Sequence, residues 1–378
     1  MRAVLVERLE ELSPRARRAV ALMLVAVVAV GAVSTYYLHP WTALKIASST
    51  TSPAPLASDR PERYALYSFV SQALGWTVVV SAESDDPHGS YWLFKTVDAG
   101  RHWQRQLSGK TAVTYATASS LRFLDARTGF VAVGDPLSLY RTRDGGDHWT
   151  RADLPSPVQF VKFLDTTTGF AVARTEGDLP PDVFVTGDGG GTWTRSPKLP
   201  ADAGFWPQFR NREEWWGGVG SDQGPPYVLV TLDGGVTWST RALPQEIQPG
   251  PFTTWVDIVP NAKTVVAYVG TEGGEPHIYS SDDGGGSWAA LKLPSSATQL
   301  AYLDATHWWA SAGSLLFKSA DAGRSWTRVA GTPPNLYLVQ LMDERHAWGL
   351  IDDGHRATLV FTSDGGRHWT PTNVPSTT

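Results

Sequence analysis

The sequence predicts an all-β fold, a seven-bladed β-propeller of four-stranded antiparallel blades preceded by one N-terminal transmembrane α-helix. Three observations predict it. An octapeptide recurs seven times, its copies fall 38 to 50 residues apart, and a 20-residue uncharged apolar run lies near the start of the chain. A period of that length fits one small antiparallel sheet per repeat, because a single sheet cannot bury its own apolar faces and must stack on neighbours.

The apolar run is Ala19 to Leu38. At about 1.5 Å per residue it is long enough to cross a hydrocarbon core of roughly 30 Å as a helix. Arg15, Arg17 and Arg18 precede it, and Tyr36, Tyr37 and Trp41 lie at its far end. Basic flanks stay in the cytoplasm and aromatic rings favour the interface, so the bulk of the chain is expected outside. A cleaved signal peptide with Ala32-Val33-Ser34 as its cleavage site is the alternative, and it too exports the rest as a secreted protein. The division is therefore 1–18 cytoplasmic, 19–38 membrane-spanning, 39–62 a flexible linker rich in Ser, Thr, Pro and Ala, and 63–378 the propeller.

The repeated octapeptide, here called the box, reads Ser/Thr-x-Asp-x-Gly-x-x-Trp. Its copies carry the pairs Asp98 and Trp103, Asp144 and Trp149, Asp188 and Trp193, Asp233 and Trp238, Asp283 and Trp288, Asp321 and Trp326, and Asp364 and Trp369. Each suits a hairpin between the third and fourth strands of a blade. The Asp can accept hydrogen bonds from its own turn, the Gly supplies positive φ, and the Trp returns into the blade to bury its indole. Short β-branched and aromatic runs between the boxes supply the other strands, as in 118–124, 130–133, 138–142 and 148–152 of the second blade.

The octapeptide resembles the Asp-box, or BNR, motif in all seven copies. Families with such boxes include sialidases, xyloglucan-cleaving glycoside hydrolases, sortilin-type receptors and the photosystem II stability/assembly factor. The units Phe163-Leu164-Asp165 to Gly169-Phe170, followed by Thr186 to Trp193, are most similar to the last of these. That resemblance implies a non-enzymatic extracytoplasmic protein that handles membrane-protein assembly, with the box aspartates on the rim, away from any ligand.

Composition narrows the chemistry. No cysteine is present, which excludes disulfides, thiolate metal sites and cysteine nucleophiles. The net charge of −5 comes from 32 Lys+Arg against 37 Asp+Glu and leaves no basic footprint for nucleic acid. The nine His are scattered, so no metal site is expected, and no cofactor. Gly109-Lys110-Thr111 has the tail of a phosphate loop, but Gln104 stands where Gly is needed. His-Glu-x-x-His and Gly-x-Ser-x-Gly are absent.

Three functions follow as expectations. The leading one is a non-catalytic binding or assembly scaffold at the membrane, a monomer whose partner is a protein or membrane complex, or a glycan. Phe205, Trp206 and Phe252, in connections between blades, are its candidate loop-face contacts; plugging gaps between blades is their plainer role. The second is a carbohydrate-active enzyme. A sialidase would need an arginine cluster, for which Arg122, Arg174 and Arg210 are candidates, and an early Arg-Ile-Pro that does not occur. A glycoside hydrolase would need two facing carboxylates, with candidates Glu83, Asp85, Asp86, Glu176, Asp178, Asp182, Asp222, Glu272, Glu275, Asp352 and Asp353. The third is a ligand sensor using the central channel. Aligned innermost strands place Ser68, Arg122, Lys162, Gln208, Asp257, Ala301 and Gln340 at one position, and Phe69, Phe123, Phe163, Phe209, Ile258, Tyr302 and Leu341 at the next. Strand alternation sends the two sets to opposite faces, the apolar set between blades and the polar set toward the channel. Arg122, Lys162, Gln208, Asp257 and Gln340 are thus the candidate channel ligands. No catalytic residue is assigned.

Overall fold

A computed structural model describes residues 62–372 apart from 82–88, 111–117, 135–136, 156, 174–179, 205, 223, 245–250, 272–276, 295–298 and 353–356. The apolar run 19–38 and most of the linker lie outside the described residues. No helix among the described residues is long and apolar enough to cross a membrane.

Seven antiparallel sheets follow one another along the chain, each with its strands in sequence order. Blade 1 comprises Glu62–Phe69, Gly75–Ser81, Ser90–Thr96 and Gln104–Lys110. Blade 2 comprises Ala118–Phe123, Gly129–Val133, Ser138–Thr142 and Thr150–Ala152. The innermost strands of blades 3 to 7 are Val158–Phe163, Gln208–Phe209, Phe252–Ile258, Gln299–Tyr302 and Leu336–Leu341. Every box forms the hairpin between third and fourth strands, as its sequence demands.

The second strands are buried on both faces: Gly129–Val133, Gly169–Ala173 and Trp308–Ala312 have no exposed residue. Such strands read as continuous apolar runs because a neighbouring blade covers each side. Seven apolar clusters result, one at each seam between blades. The seam between blades 7 and 1 joins Trp348, Leu350 and Leu359 to Tyr67, Phe69 and Phe94, which closes the ring.

One stacking rule recurs at these seams. The aromatic at the end of an inner strand lies flat on an aromatic of the preceding blade's second strand. Phe69 stacks on Trp348 at 3.7 Å, Phe123 on Trp76 at 3.4 Å, Phe163 on Phe130 at 3.6 Å and Phe209 on Phe170 at 3.9 Å. For Phe69, Phe123 and Phe163, space for the ring comes from a glycine across the strand pair: Gly75, Gly129 and Gly169. A Cβ on Gly129 would stand 2.4 Å from the Phe123 ring.

Blade 4 departs from the regular plan. Its inner strand has two residues, and after Trp215–Gly217 the chain crosses over. Gly220–Ser221 then pairs with Phe252–Ile258, giving the blade 5 sheet a fifth strand. The crossing requires Gly218, where any Cβ would meet the Thr254 carbonyl oxygen at 2.0 Å. Each blade keeps the four strands expected of it, and the blade 5 sheet gains one more from the blade 4 segment. The two extra residues are too short to read as a strand in sequence.

The box tryptophans are half-buried, less enclosed than the hairpin reading implies. They also cover a different surface, the seam with the preceding blade. Trp149 meets Phe123 edge-on within the blade 1–2 cluster, Trp193 meets Phe163 in the blade 2–3 cluster, and Trp288 meets Trp216 in the blade 4–5 cluster. Trp369 Nε1 donates to the Gly366 carbonyl, whereas the Nε1 groups of Trp149, Trp193, Trp238, Trp288 and Trp326 find no acceptor among the described residues. The fully buried indoles are Trp76, Trp215, Trp216, Trp308 and Trp348, on second strands.

Candidate functional site

The boxes are structural down to single atoms. In the first, Thr96 Oγ1 donates to Asp98 Oδ1 at 2.9 Å and accepts from the Gly100 N–H at 2.9 Å. Asp98 Oδ1 also accepts the His102 N–H at 2.9 Å, and Oδ2 meets His102 Nδ1 at 2.5 Å. The residue just before the Trp always supplies a side-chain donor to the aspartate: His102, His148, Thr192, Thr237, Ser287, Ser325 and His368. Sequence reading missed this position, although every copy has His, Thr or Ser there. These bonds favour the charged carboxylate. The His102 backbone N–H, then its ring, hold Asp98 at about 2, and the Thr192 backbone with the Thr186 hydroxyl hold Asp188 at about 2.

The turns between first and second strands use their carboxylates the same way. Asp125 Oδ1 accepts the Arg127 and Thr128 N–H groups at 2.7 Å, and Asp343 Oδ1 accepts those of Arg345 and His346 at 2.8 Å. The box then docks on this turn. Gly145 N–H donates to the Arg127 carbonyl, and Gly365 N–H to that of Arg345.

Of the polar positions expected at the channel, Lys162 meets Gln208 and lies near Arg122 and Asp257. In each inner strand the residue at that position pairs across the sheet with the second-strand residue that faces the next blade: Arg122 with Phe130, Lys162 with Phe170, Gln340 with Trp348. Several therefore act as latches between blades. Gln340 Oε1 accepts the Phe69 N–H at 3.0 Å and its Nε2 donates to the Phe69 carbonyl at 2.8 Å. Ser68 Oγ accepts the Phe123 N–H at 2.9 Å. Lys162 Nζ donates to Gln208 Oε1 at 3.3 Å. Asp257 Oδ2 accepts the hydroxyls of Tyr268 at 2.8 Å and Tyr302 at 3.0 Å. Burial, then the Asp257 charge, pushes both tyrosines well above their ordinary value. Burial, then Arg122, pulls Lys162 down to about 8, while Asp257 acts in the opposite sense. The two sets of the sequence reading do occupy opposite faces, but part of the polar set serves the seams.

The remaining candidates disperse. Phe252 is corrected from a loop-face contact to a core residue: it is 3% exposed, on the inner strand of blade 5 against Tyr227. The proline-flanked sequence disguised that strand as a connection. Trp206 is half-buried and lies 5.2 Å from Phe160 at the blade 3–4 seam. Arg210 ties two inner turns together, binding Glu214 at 2.8 Å and the carbonyls of Ala262, Lys263 and Thr264. It is thereby committed away from any carboxylate-binding cluster. Asp182 pairs with Arg195 at 2.5 Å. Asp222 and Asp352 lie near strand ends. Phe205, Arg174, Glu83, Asp85, Asp86, Glu176, Asp178, Glu272, Glu275 and Asp353 lie outside the described residues. Among the described residues no group of His, Asp and Glu is arranged to hold a metal.

Fold and boxes together define the class, a seven-bladed β-propeller with an aspartate-tied hairpin in each blade. No family model matches the chain, and no curated protein matches it. Solved structures do. YCF48 bound to a D1 peptide is similar over 82% of this chain and 93% of that one, with a TM-score of 0.54 and 17% identity. The GH74 xyloglucanase from Xanthomonas campestris is similar over 82% and 60%, with a TM-score of 0.50 and 14% identity. A prolyl endopeptidase is similar over 84% and 51%, with a TM-score of 0.55 and 11% identity. At these identities the common property is the fold, which serves binding proteins and enzymes alike.

Proposed function

We propose that this chain is a non-catalytic binding or assembly scaffold, anchored by its N-terminal helix with the propeller outside the cytoplasm, and that it grips a protein segment. The observation that carries this reading is how the described acids are used. The box and inner-turn aspartates are bonded to their own turns, so they brace seven hairpins and do not face one another across a cleft. A ring braced in this way presents loops and channel at little conformational cost, which favours binding by preorganisation. That YCF48 has been solved with a peptide bound supports the same use of the fold.

The enzyme reading keeps one observation in its favour, the GH74 neighbour, and one requirement, two carboxylates about 5–10 Å apart. Both readings are tested on the full chain in its native membrane. Because the chain has no cysteine, a single Thr378→Cys or Val4→Cys reports topology through a membrane-impermeant maleimide. Labelling of the first and protection of the second are expected. A photo-crosslinking amino acid at Trp206 or Asp222 should trap one membrane protein, identified by mass spectrometry. Absence of any crosslink, with glycan turnover by the purified protein, would reverse the assignment.

A further inference from the structure

Side chains on the inner strands latch several seams, and the sector of blades 2 and 3 has two cations in place of a latch. Gln340 latches blade 7 to blade 1, Ser68 latches 1 to 2, Lys162 and Gln208 join 3 to 4, and Tyr302 joins 6 to 5 through Asp257. Blades 6 and 7 are joined one turn away, where Gln299 Oε1 accepts the Leu338 N–H at 2.8 Å. Arg122, at the seam of blades 2 and 3, latches nothing. Its Nε is buried and has no hydrogen-bond partner among the described residues. A guanidinium is a fork of five donors, and leaving a buried one without an acceptor is costly.

Its neighbour is also a cation. Lys162 uses one ammonium donor, on the neutral Gln208 Oε1 at 3.3 Å, and is close enough to Arg122 to feel its repulsion. The carboxylate of the ring, Asp257, lies near enough to favour the charged lysine and already accepts two tyrosine hydroxyls on Oδ2. Two like charges thus share a partly dehydrated sector, and no described carboxylate forms an ion pair with either.

We propose that Arg122 and Lys162, with the Gln208 amide beside them, form a binding site for a small oxyanion, a carboxylate or a phosphate, in the blade 2–3 sector of the channel. The guanidinium offers the paired donors that suit such an anion, and the ammonium adds a point charge. This site is independent of the protein-grip reading and of the loop face. Bound anion and Lys162 proton are linked, so affinity falls as the pH rises past the lysine's titration. Arg122 and Asp257 are the charged groups that act on that lysine.

The test uses the full chain in detergent at constant ionic strength. Acetate and inorganic phosphate are titrated separately against a chloride control, and thermal stability and calorimetric binding are followed. Saturable stabilisation by acetate marks a carboxylate ligand, and by phosphate a phosphate ligand; either outcome supports the site. Arg122→Gln and Lys162→Met should each weaken it ~10- to 100-fold, the loss expected for a charged hydrogen bond. A readout on the unaltered protein runs in parallel: the 13Cε signal of Lys162 should titrate at higher pH with the anion present. Absence of saturable binding by both anions, with the Lys162 titration unmoved, would overturn the proposal. So would equal affinity in both variants.

Discussion

Phe69→Ala probes ring closure, on which the whole architecture depends. Phe69 is 2% exposed, stacks on Trp348 at 3.7 Å with 9° between planes, and its backbone N–H and C=O are both held by Gln340. Truncation removes a buried ring, which loses roughly 2–3 kcal/mol of transfer free energy. The cavity left beside Trp348 raises the total to about 3–5 kcal/mol, a large part of the roughly 5–15 kcal/mol that holds a typical domain together. Phe123→Ala is the matched control, at an equivalent stack between blades 1 and 2. Both variants should lose similar stability in urea melts followed by far-ultraviolet circular dichroism. Hydrogen exchange should separate them. Phe69→Ala should open residues 62–69 and 336–341 first, because no described segment of chain crosses that seam, whereas Phe123→Ala should not release the terminal blades. A Phe69→Ala loss under about 1 kcal/mol, or exchange that rises evenly over all blades, would refute closure through this seam.

Three further outcomes follow from the same geometry. Gly129→Val places side-chain carbon within the space of the Phe123 ring; an overpacking loss of about 1–3 kcal/mol is expected, read as a lowered thermal midpoint, and an unchanged midpoint would count against the stacking rule. The box aspartates lie below their ordinary 3.8, with Asp98, Asp188, Asp233 and Asp321 at about 2. A carboxylate depressed on folding stabilises above its unfolded value, and that contribution is lost as pH falls. Acid unfolding should therefore develop between about pH 4 and pH 2, measured by circular dichroism. Lys162 has a folded value of about 8 against 10.5. The unfolded chain binds the extra proton between these values, so stability should rise with pH from about 8 to 10.5, and Lys162→Met should remove that rise in urea melts.

Much of this architecture is legible in the octapeptide, because the box is closed by local bonds. Thr96, Asp98, Gly100 and His102 satisfy one another within seven residues, so the hairpin is written where it forms. Repetition at a blade's length then implies a ring, since no blade can cover both faces of a strand such as Gly169–Ala173. The candidate site was less legible. Alignment of inner strands picked out Arg122, Lys162, Gln208, Asp257 and Gln340, but not which of them would be engaged.

The number of blades, the hairpin in each and the alternation that separates Phe123 from Arg122 could be read from the order of residues, because all of them rest on contacts a few residues apart. The packed ring was needed to show that Gln340 binds the backbone of Phe69, that Trp149 covers the preceding seam, that Phe252 is core, and that Arg122 Nε finds no acceptor among the described residues. Those outcomes depend on which blade stands beside which, and on partners as far apart as 271 positions. No local pattern of residues encodes a contact of that kind, because its free energy exists only once the ring has closed.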